Sequence, residues 1–535
     1  MKKIVSAICG SLLAAALLLS MVACGGKGGG NDLIDSEANT AVAYSKQDLT
    51  DLAGWTMNGT LDDLGYCVLR KTDSATRETS YMLYNVVTAE KQTSSEAFSQ
   101  ISSGLYYTES MNQDETAYTF TYYGKGGSAK TYTVSINTQD TAATQTELMN
   151  AREGMFADDT YLYVTVKGEI ATGTNNLTPV LTYAEKENAY RVGAYYLVIG
   201  GLSRISMVQI FDENGAYVKS YNVYQALDVP ADATFAAWYV GEKAFIQAAY
   251  GATGDSSYDY IREGLKYKTV TYSYDPAEDK FEKVDCPFVV EYMIGVSPYS
   301  DEYAAVTGWE IGKDKSLLAA KVVQTLGADG KYWTDLQELL PGASNYLIEE
   351  SSYILINSEK AVVYEANKEV GSFANDGLLE SYSKGVFKKG GAYYNLAGET
   401  LLRPTADQMS DITLNGKIYY QTRNEETNEL TLHIFDAATK AETTEKIATI
   451  SYGVNSVAYY LTVAGEEEKT YSMKLLGTDL TVFEGKALAS TNIGVSVYKD
   501  GNTQYGLVGV TLKGETENTT EYYLVKAENL PNMLG

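Results

Sequence analysis

Apolar and polar residues alternate along most of this chain in runs of about four to eight, separated by short clusters of Gly, Asn, Asp and Thr. Alternation with period two is the signature of a strand that buries one face. The longer period of a helix is scarce. Two segments carry enough of it to predict short helices, Thr144–Phe156 and Asp314–Leu326, and the second reads equally well as strand. Eight prolines in 535 residues leave the turns to Gly, Asn and Asp, which tolerate positive φ. The pattern predicts an all-β protein.

The predicted strands come in pairs with a shared outline. Lys417-Ile418-Tyr419-Tyr420, a polar loop over 423–429, and Leu430-Thr431-Leu432-His433-Ile434-Phe435-Asp436 close on Thr439-Lys440. The outline recurs 351 positions earlier in Tyr66-Cys67-Val68-Leu69, Tyr81-Met82-Leu83-Tyr84-Asn85 and Thr88-Ala89-Glu90. It recurs 224 positions earlier in Tyr195-Tyr196-Leu197, Val208-Gln209-Ile210-Phe211-Asp212 and Asn214-Gly215. Weaker versions pair Tyr118–Tyr123 with Tyr132–Asn137, Ala244–Ile246 with Val270–Asp275, and Tyr353–Ile356 with Ala361–Glu365. Further copies pair Val457–Val463 with Tyr471–Leu475 and Val495–Tyr498 with Gly506–Leu512. Each predicts a hairpin turning on Asp or Asn. A hairpin cannot bury its apolar face alone, so neighbouring units must stack. The offsets lie near multiples of roughly 60 residues, which suits a four-stranded propeller blade with generous loops.

Asn415-Gly416-Lys417-Ile418-Tyr419-Tyr420 and Phe435-Asp436-Ala437-Ala438-Thr439-Lys440 resemble the loose propeller repeats of bacterial lipoproteins and TolB-like proteins. The resemblance implies a β-propeller of about 7–8 blades over residues 46–535, and it implies architecture rather than activity. Tyr332-Trp333-Thr334-Asp335 spells another propeller signature, but that motif belongs once in every blade and stands here once. The competing architecture is a string of tandem β-sandwich domains of about 100 residues each. It accounts for the strands but not for the shared hairpin outline.

The N-terminus carries a different pattern. Lys2 and Lys3 precede an almost unbroken apolar run from Ile4 to Ala23, the layout of a secretory signal. The run ends in Met21-Val22-Ala23-Cys24-Gly25-Gly26, which resembles the bacterial lipobox with Met in place of the usual Leu. The resemblance implies a signal peptide over 1–23, lipidation of Cys24, and a flexible Gly-rich tether over 24–45. About 20 apolar residues would also span a bilayer as an uncleaved anchor, but Cys24 stands where a lipobox needs it. The expected location is the extracytoplasmic face of the cell membrane.

Composition narrows the partners. A net charge of −27, from 42 basic and 69 acidic residues, repels nucleic acid and anionic lipid. Tyrosine stands at 46 residues against 12 Phe, as expected of half-buried strand positions or of an aromatic platform for sugar rings. Of four cysteines, Cys9 lies in the signal and Cys24 takes the lipid, leaving Cys67 and Cys286 as buried thiols or a single bridge.

Candidate chemistry is sparse. His433 is the one histidine, which removes His-clustered metal sites, and its place in a strand predicts a side chain facing solvent or a neighbouring sheet. A glycosidase needs two carboxylates at a fixed separation, and no pair is marked; Trp238 and Trp309-Glu310 are candidates for a sugar-binding wall or for plain core. Structural Ca²⁺ is conceivable at Asp275–Asp279 or Asp212-Glu213-Asn214-Gly215, although neither completes a calcium loop and both read as turns. Gly124-Lys125-Gly126-Gly127 lies between two strands, without the helix that a phosphate loop requires.

These observations predict a lipid-anchored extracytoplasmic binding or scaffold protein of the cell envelope, with a glycan, peptide or protein as partner. One alternative is a glycan-active hydrolase or lyase, marked by carboxylates converging with Trp or Tyr at one funnel mouth. The other is a transporter-associated solute-binding lipoprotein, whose α/β fold needs helices that are missing here. Substituting Cys24→Ser is expected to abolish metabolic labelling with radioactive palmitate and to release the chain from the membrane fraction. Labelling that survives the substitution overturns the anchor assignment.

Overall fold

The computed structural model describes residues 43–528 apart from 175–178, 201–206, 241, 252–259, 263–264, 287, 293–302, 312–316, 326–332, 336–338, 344, 350–351, 366–367, 376–378, 384–385, 396, 404–407, 415, 452–457, 466–468, 479, 487–492, 501–502 and 513–517. The signal, Cys24 and most of the expected tether lie outside the described residues. Strands dominate. All five weaker hairpins and the three strong ones form antiparallel pairs, among them Tyr66↔Asn85, Tyr196↔Phe211 and Lys417↔Asp436, and Val457 of the predicted strand Val457–Val463 lies outside the described residues.

The strands assemble as successive antiparallel meanders. The first sheet holds Thr56–Met57, Tyr66–Thr72, Thr79–Asn85 and Lys91–Ser94 in that spatial order. The second holds Ser99–Ser102, Leu105–Met111, Ala117–Gly124 and Gly127–Ser135. A helix, α1 (Thr141–Arg152), and a two-stranded hairpin of Thr160–Val164 and Ile170–Thr174 come next. Further four-stranded units run from Tyr190, Thr234, Phe288, Asn345 and Leu379, the one from Thr234 carrying an extra strand, Tyr260–Arg262. A seven-stranded sheet from Gln408 to Gly485 joins two units through the long strand Ala441–Ser451. In the last sheet, Ile493–Asp500, Thr503–Leu512 and Thr519–Glu528 are completed by Ala43–Asp48, which pairs along Thr519–Glu528 from Ala43↔Glu528 to Asp48↔Tyr523.

Neighbouring sheets pack on one another wherever their side chains are described. Tyr66, Val68 and Leu83 of the first sheet pack on Phe98 and Tyr106 at the second. Ile354, Val363 and Phe373 meet Phe387 of the next unit, and Val386 and Tyr393 of that unit meet Ile418 and Tyr420. The last sheet returns to the first, with Leu507 and Tyr522 packed among Leu49, Cys67, Leu69, Met82 and Tyr84. Meanders stacked face to face in chain order, with the last packed on the first, are the blades of a β-propeller. Tandem sandwiches would instead bury pairs of sheets in separate cores.

One turn recurs throughout. Asp73, Asn85, Asp275, Asn424 and Asp436 each accept the backbone N–H groups two and three residues ahead on one side-chain oxygen. The residue four positions on is left-handed in every copy: Arg77, Ala89, Asp279, Asn428 and Lys440 have φ between 55° and 62°. The side-chain oxygen replaces the strand ladder just where the chain reverses. It explains why the repeat was readable at a terminal Asp or Asn.

Tyrosine does more than half-bury itself. Tyr122 is fully buried and donates to the Ala151 carbonyl at 2.6 Å, tying α1 to the second sheet. Tyr522 accepts from Met57 N at 2.8 Å and so links the last sheet to the first. The ring fills the core, and the hydroxyl satisfies a backbone group that no ladder reaches.

Three expectations change. The helix predicted within Asp314–Leu326 is a strand, Leu317–Thr325, paired on both sides; residues 314–316 and Leu326 lie outside the described residues. Flanking strands decided between two periods that the local sequence left balanced. The other helix forms but sits earlier, at Thr141–Arg152, because Asp140 accepts from Ala143 N at its start and Gly154 (φ +73°) lies just past its end. The unit spacing is far less regular than 60, running from 29 residues between Leu379 and Gln408 to 91 between Ser99 and Tyr190, where α1 and the two-stranded hairpin intervene. Trp333–Asp335 forms an edge strand of its sheet, and Tyr332 lies outside the described residues.

Substituting Ala89→Gly removes one exposed methyl from a left-handed residue and is expected to stabilise the protein by about 0.5–1 kcal/mol. Asp436→Ala deletes the one oxygen that accepts both turn bonds and is expected to cost about 1 kcal/mol, whereas Asp436→Asn retains it and stays near neutral. Urea denaturation of the three variants measures all three shifts.

Candidate functional site

A meander places its first and third turns at one end. At that end the first sheet, the second sheet, the hairpin of 160–174 and the last sheet come together around a cavity of about 240 Å³. The first sheet contributes Leu64 and Tyr66 from one connection and Asn85, Val87 and Thr88 from the other. Lys125 comes from the tight turn of the second sheet, Val166, Lys167 and Gly168 from the hairpin tip, and Tyr183 and Lys186 from the segment after it. Tyr498 of the last sheet completes the wall.

A half-buried carboxylate, Asp62, fixes this geometry. Asp62 accepts from Leu64 N at 2.9 Å and Tyr66 N at 2.8 Å with one oxygen. With the other it accepts from Gly104 N at 2.7 Å and the Tyr106 hydroxyl at 2.9 Å, so it spans the first two sheets. Burial, and then the Asp62 charge, raise the Tyr106 hydroxyl far above its ordinary value, so it stays a donor. Gly104 (φ +75°) is required here, since a Cβ would lie 2.4 Å from Leu64 Cδ1. Asn85 donates to the Leu64 carbonyl at 2.9 Å, and Tyr183 donates to the Asp63 carbonyl at 2.7 Å.

The lining is unlike the rest of the protein. Among its twelve described residues three are lysines and none is acidic, in a chain with 69 acidic and 42 basic residues. Lys125 and Lys167 reach outward to Glu169 at 3.7 Å and Glu213 at 3.8 Å, both exposed pairs. Lys186 Nζ stands 3.6 Å from the Tyr183 ring centroid. Tyr66 is 4% exposed, and its hydroxyl has no hydrogen-bond partner among the described residues. Burial, then the Glu90 and Asp62 carboxylates, push that hydroxyl up to about 12, with Asn85 opposing weakly from outside hydrogen-bond geometry.

The residues singled out from sequence lie elsewhere. His433 is one-fifth exposed, stacked on Tyr420 at 4.5 Å, with Nδ1 2.6 Å from Glu442 Oε1 and Nε2 2.9 Å from Thr422 Oγ1. Hydroxyl, imidazole and carboxylate thus stand in line across three strands, an arrangement invisible in sequence because the partners lie 11 positions before and 9 after. Trp238 is 2% exposed and stacks on Phe245 at 5.7 Å, which makes it core rather than a sugar wall. Trp309 and Glu310 sit in the strand Tyr303–Ile311, opposite Ala319 and Leu318. Cys67 and Cys286 are unbridged; burial pushes their thiols up to about 12 and about 11.

Both acidic loops are turns. Asp212 accepts from Asn214 N and Ala216 N, and Asp275 from Ala277 N and Glu278 N. Asp279 is engaged by Lys219, Tyr221 and Tyr274. Among the described residues no cluster of three His, Cys, Asp or Glu side chains is placed to hold a metal ion. No helix of the described residues is long and apolar enough to cross a membrane.

No known family profile matches the chain, and no curated protein does. Among solved structures the chain is similar to the β-propeller domain of a trilobed protease from Pyrococcus furiosus, at 10% identity over 80% of this chain and 95% of that one, with a TM-score of 0.20. It is similar to a prolyl endopeptidase at 9% identity, 80% and 55% coverage and a TM-score of 0.21. An acylaminoacyl peptidase from Pyrococcus horikoshii gives 9% identity, 86% and 58% coverage and a TM-score of 0.17. The chain spans a little over half the length of these last two. Scores this low describe a loose likeness, and the propeller assignment stands on the order of the sheets and the packing of the last on the first.

The carboxylates predict a pH profile. The Thr439 N–H holds Asp436 below its ordinary value, and the Tyr420 hydroxyl, followed by His433, does the same for Glu442. Groups depressed in the folded state contribute stability above their unfolded values of 3.8 and 4.5, and lose it as pH falls through the folded values. Self-repulsion of the −27 charge acts oppositely and fades toward the isoelectric point near 4.5. The melting temperature is therefore expected to rise from pH 8 to about 5 and to drop below about 4. Salt should flatten the first arm and spare the second.

Proposed function

We propose that this chain is a binding protein of the cell envelope, tethered to the extracytoplasmic face of the membrane through lipidated Cys24, and that the cavity at the turn-bearing end is its ligand site. A propeller scaffold supports the reading, because turns from many sheets converge at one end while the sheets hold them rigid. The observation that carries it is the cavity itself. It is assembled from segments as distant as Leu64 and Tyr498 and positioned by the Asp62 network. The carboxylates that a glycan-active hydrolase or lyase needs are not among its described lining, so binding is the reading it favours. The negative field of the whole chain disfavours nucleic acid as partner.

The test is a thermal-shift screen of the full lipidated chain in detergent micelles against cell-wall fragments, oligosaccharides and calcium. A specific ligand at about 100 times its dissociation constant adds about 2.7 kcal/mol of stability. The variant Thr88→Trp fills the cavity from its exposed rim and is expected to abolish the shift. Silence across the panel, or a shift that persists in the filled variant, overturns the assignment of the cavity.

A further inference from the structure

Thr160–Val164 and Ile170–Thr174 form a sheet of two strands, where every other sheet of the described residues has at least four. The hairpin stands between complete sheets. Leu162 and Val164 pack on Phe120 and Tyr122 of the second sheet, and Val166 at the hairpin tip packs on Phe211 of the sheet from Tyr190. The edge left without further strands is Ile170–Thr174.

The backbone bonding fixes which groups that edge presents. The Thr160 carbonyl accepts from Phe156 N at 2.9 Å, Leu162 N donates to the Gly154 carbonyl at 2.9 Å, and the Val164 carbonyl accepts from Tyr183 N at 2.8 Å. All three bonds leave Thr160–Val164 on the side away from its partner strand. Antiparallel ladders alternate, so the residues opposite these three turn their own N–H and C=O groups outward. Those residues are Thr174, Thr172 and Ile170. Their outward groups have no partner among the described residues, and both threonines are exposed.

This edge also lacks the usual protection. Lys91, Lys130, Lys219 and Lys280 stand on the last strands of other meanders, where a charge discourages further pairing. Ile170-Ala171-Thr172-Gly173-Thr174 has no charge and no proline, and its β-branched residues favour pairing. Tyr161 and Tyr163, opposite Gly173 and Ala171, are half-buried with ring centroids 5.8 Å apart. The Tyr161 ring lies over Gly173, where a Cβ would come within 2.7 Å of it. Small residues at the edge thus leave these rings within reach of an added strand.

Charge selects the occupant. A net charge of −27 repels a second copy of this chain and attracts a basic segment. We infer that this edge docks an extended basic segment of another protein, which adds as a third strand beside Ile170–Thr174. Main-chain bonds to Ile170, Thr172 and Thr174 hold it, and alternate apolar side chains rest against Tyr161 and Tyr163. The edge residues line no part of the cavity, so this surface stands or falls separately from it.

The experiment is fluorescence anisotropy of a labelled peptide, alternating valine and threonine between paired lysines, with the full lipidated chain in detergent. Two comparison peptides replace valine by proline or lysine by glutamate. The first peptide is expected to bind at least tenfold more tightly than either. Thr172→Pro removes an outward N–H that the hairpin does not use, and Thr172→Lys adds the charge that other edges carry. The first substitution is expected to weaken binding tenfold or more and the second several-fold, both with the melting temperature of the parent. Bound peptide is expected to slow hydrogen exchange at the Ile170, Thr172 and Thr174 amides, and Thr88→Trp is expected to bind it as the parent does.

Binding that neither Thr172 substitution changes, equal binding of the proline peptide, or no binding at all overturns the inference. Loss of binding in Thr88→Trp puts the peptide in the cavity and overturns the edge as well. Equal binding of the glutamate peptide overturns the choice of a basic partner. A dimer in sedimentation that Thr172→Pro dissolves makes a second copy the occupant and overturns that choice too.

Discussion

The fold depends on one constraint: a four-stranded meander has two faces, and both need a cover. A stack built this way leaves an apolar face bare at both ends unless the ends meet. Leu507 and Tyr522 of the last sheet meet Cys67, Leu69 and Tyr84 of the first, and Ala43–Asp48 completes the last sheet from the other end of the chain. Closure therefore removes two bare faces and one open strand edge together. The Tyr522 bond to Met57 N adds a directional tie across the same junction.

Much of this was legible because its causes are local. Period-two alternation marks strands, and the side chain at the end of a strand decides how the chain turns back. Asn85, Asp212 and Asp436 were visible as repeat ends for the same reason that they are structural: each feeds backbone donors that a reversing chain cannot satisfy otherwise. The spacing between units was not legible, since loop length costs little free energy and drifts freely. Leu317–Thr325 went to strand because its neighbours on both sides offered ladders, and nothing within those nine residues records that.

The site was hidden for the opposite reason. Its residues span Leu64 to Tyr498, and each looks ordinary where it stands. Lys125 was in view inside Gly124-Lys125-Gly126-Gly127, and setting that segment aside as a phosphate loop was correct, because it is the tight turn of an antiparallel hairpin. Its significance comes from what other turns bring beside it. His433 shows the same limit: its strand was readable, its neighbours Thr422 and Glu442 were not.

The strand Ala43–Asp48 is the first of the described strands to be synthesised and the last to find its partner. Ala43 and Glu528, which stand opposite each other in the finished sheet, are 485 positions apart in the chain (528 − 43). No ring can close until the ribosome has delivered the far end, and a contact of such long range is slow to form even then. Throughout that interval the first sheet lacks its outer cover and the last lacks its edge. The time spent open, more than the stability eventually reached, sets the exposure of this chain to association with others of its kind.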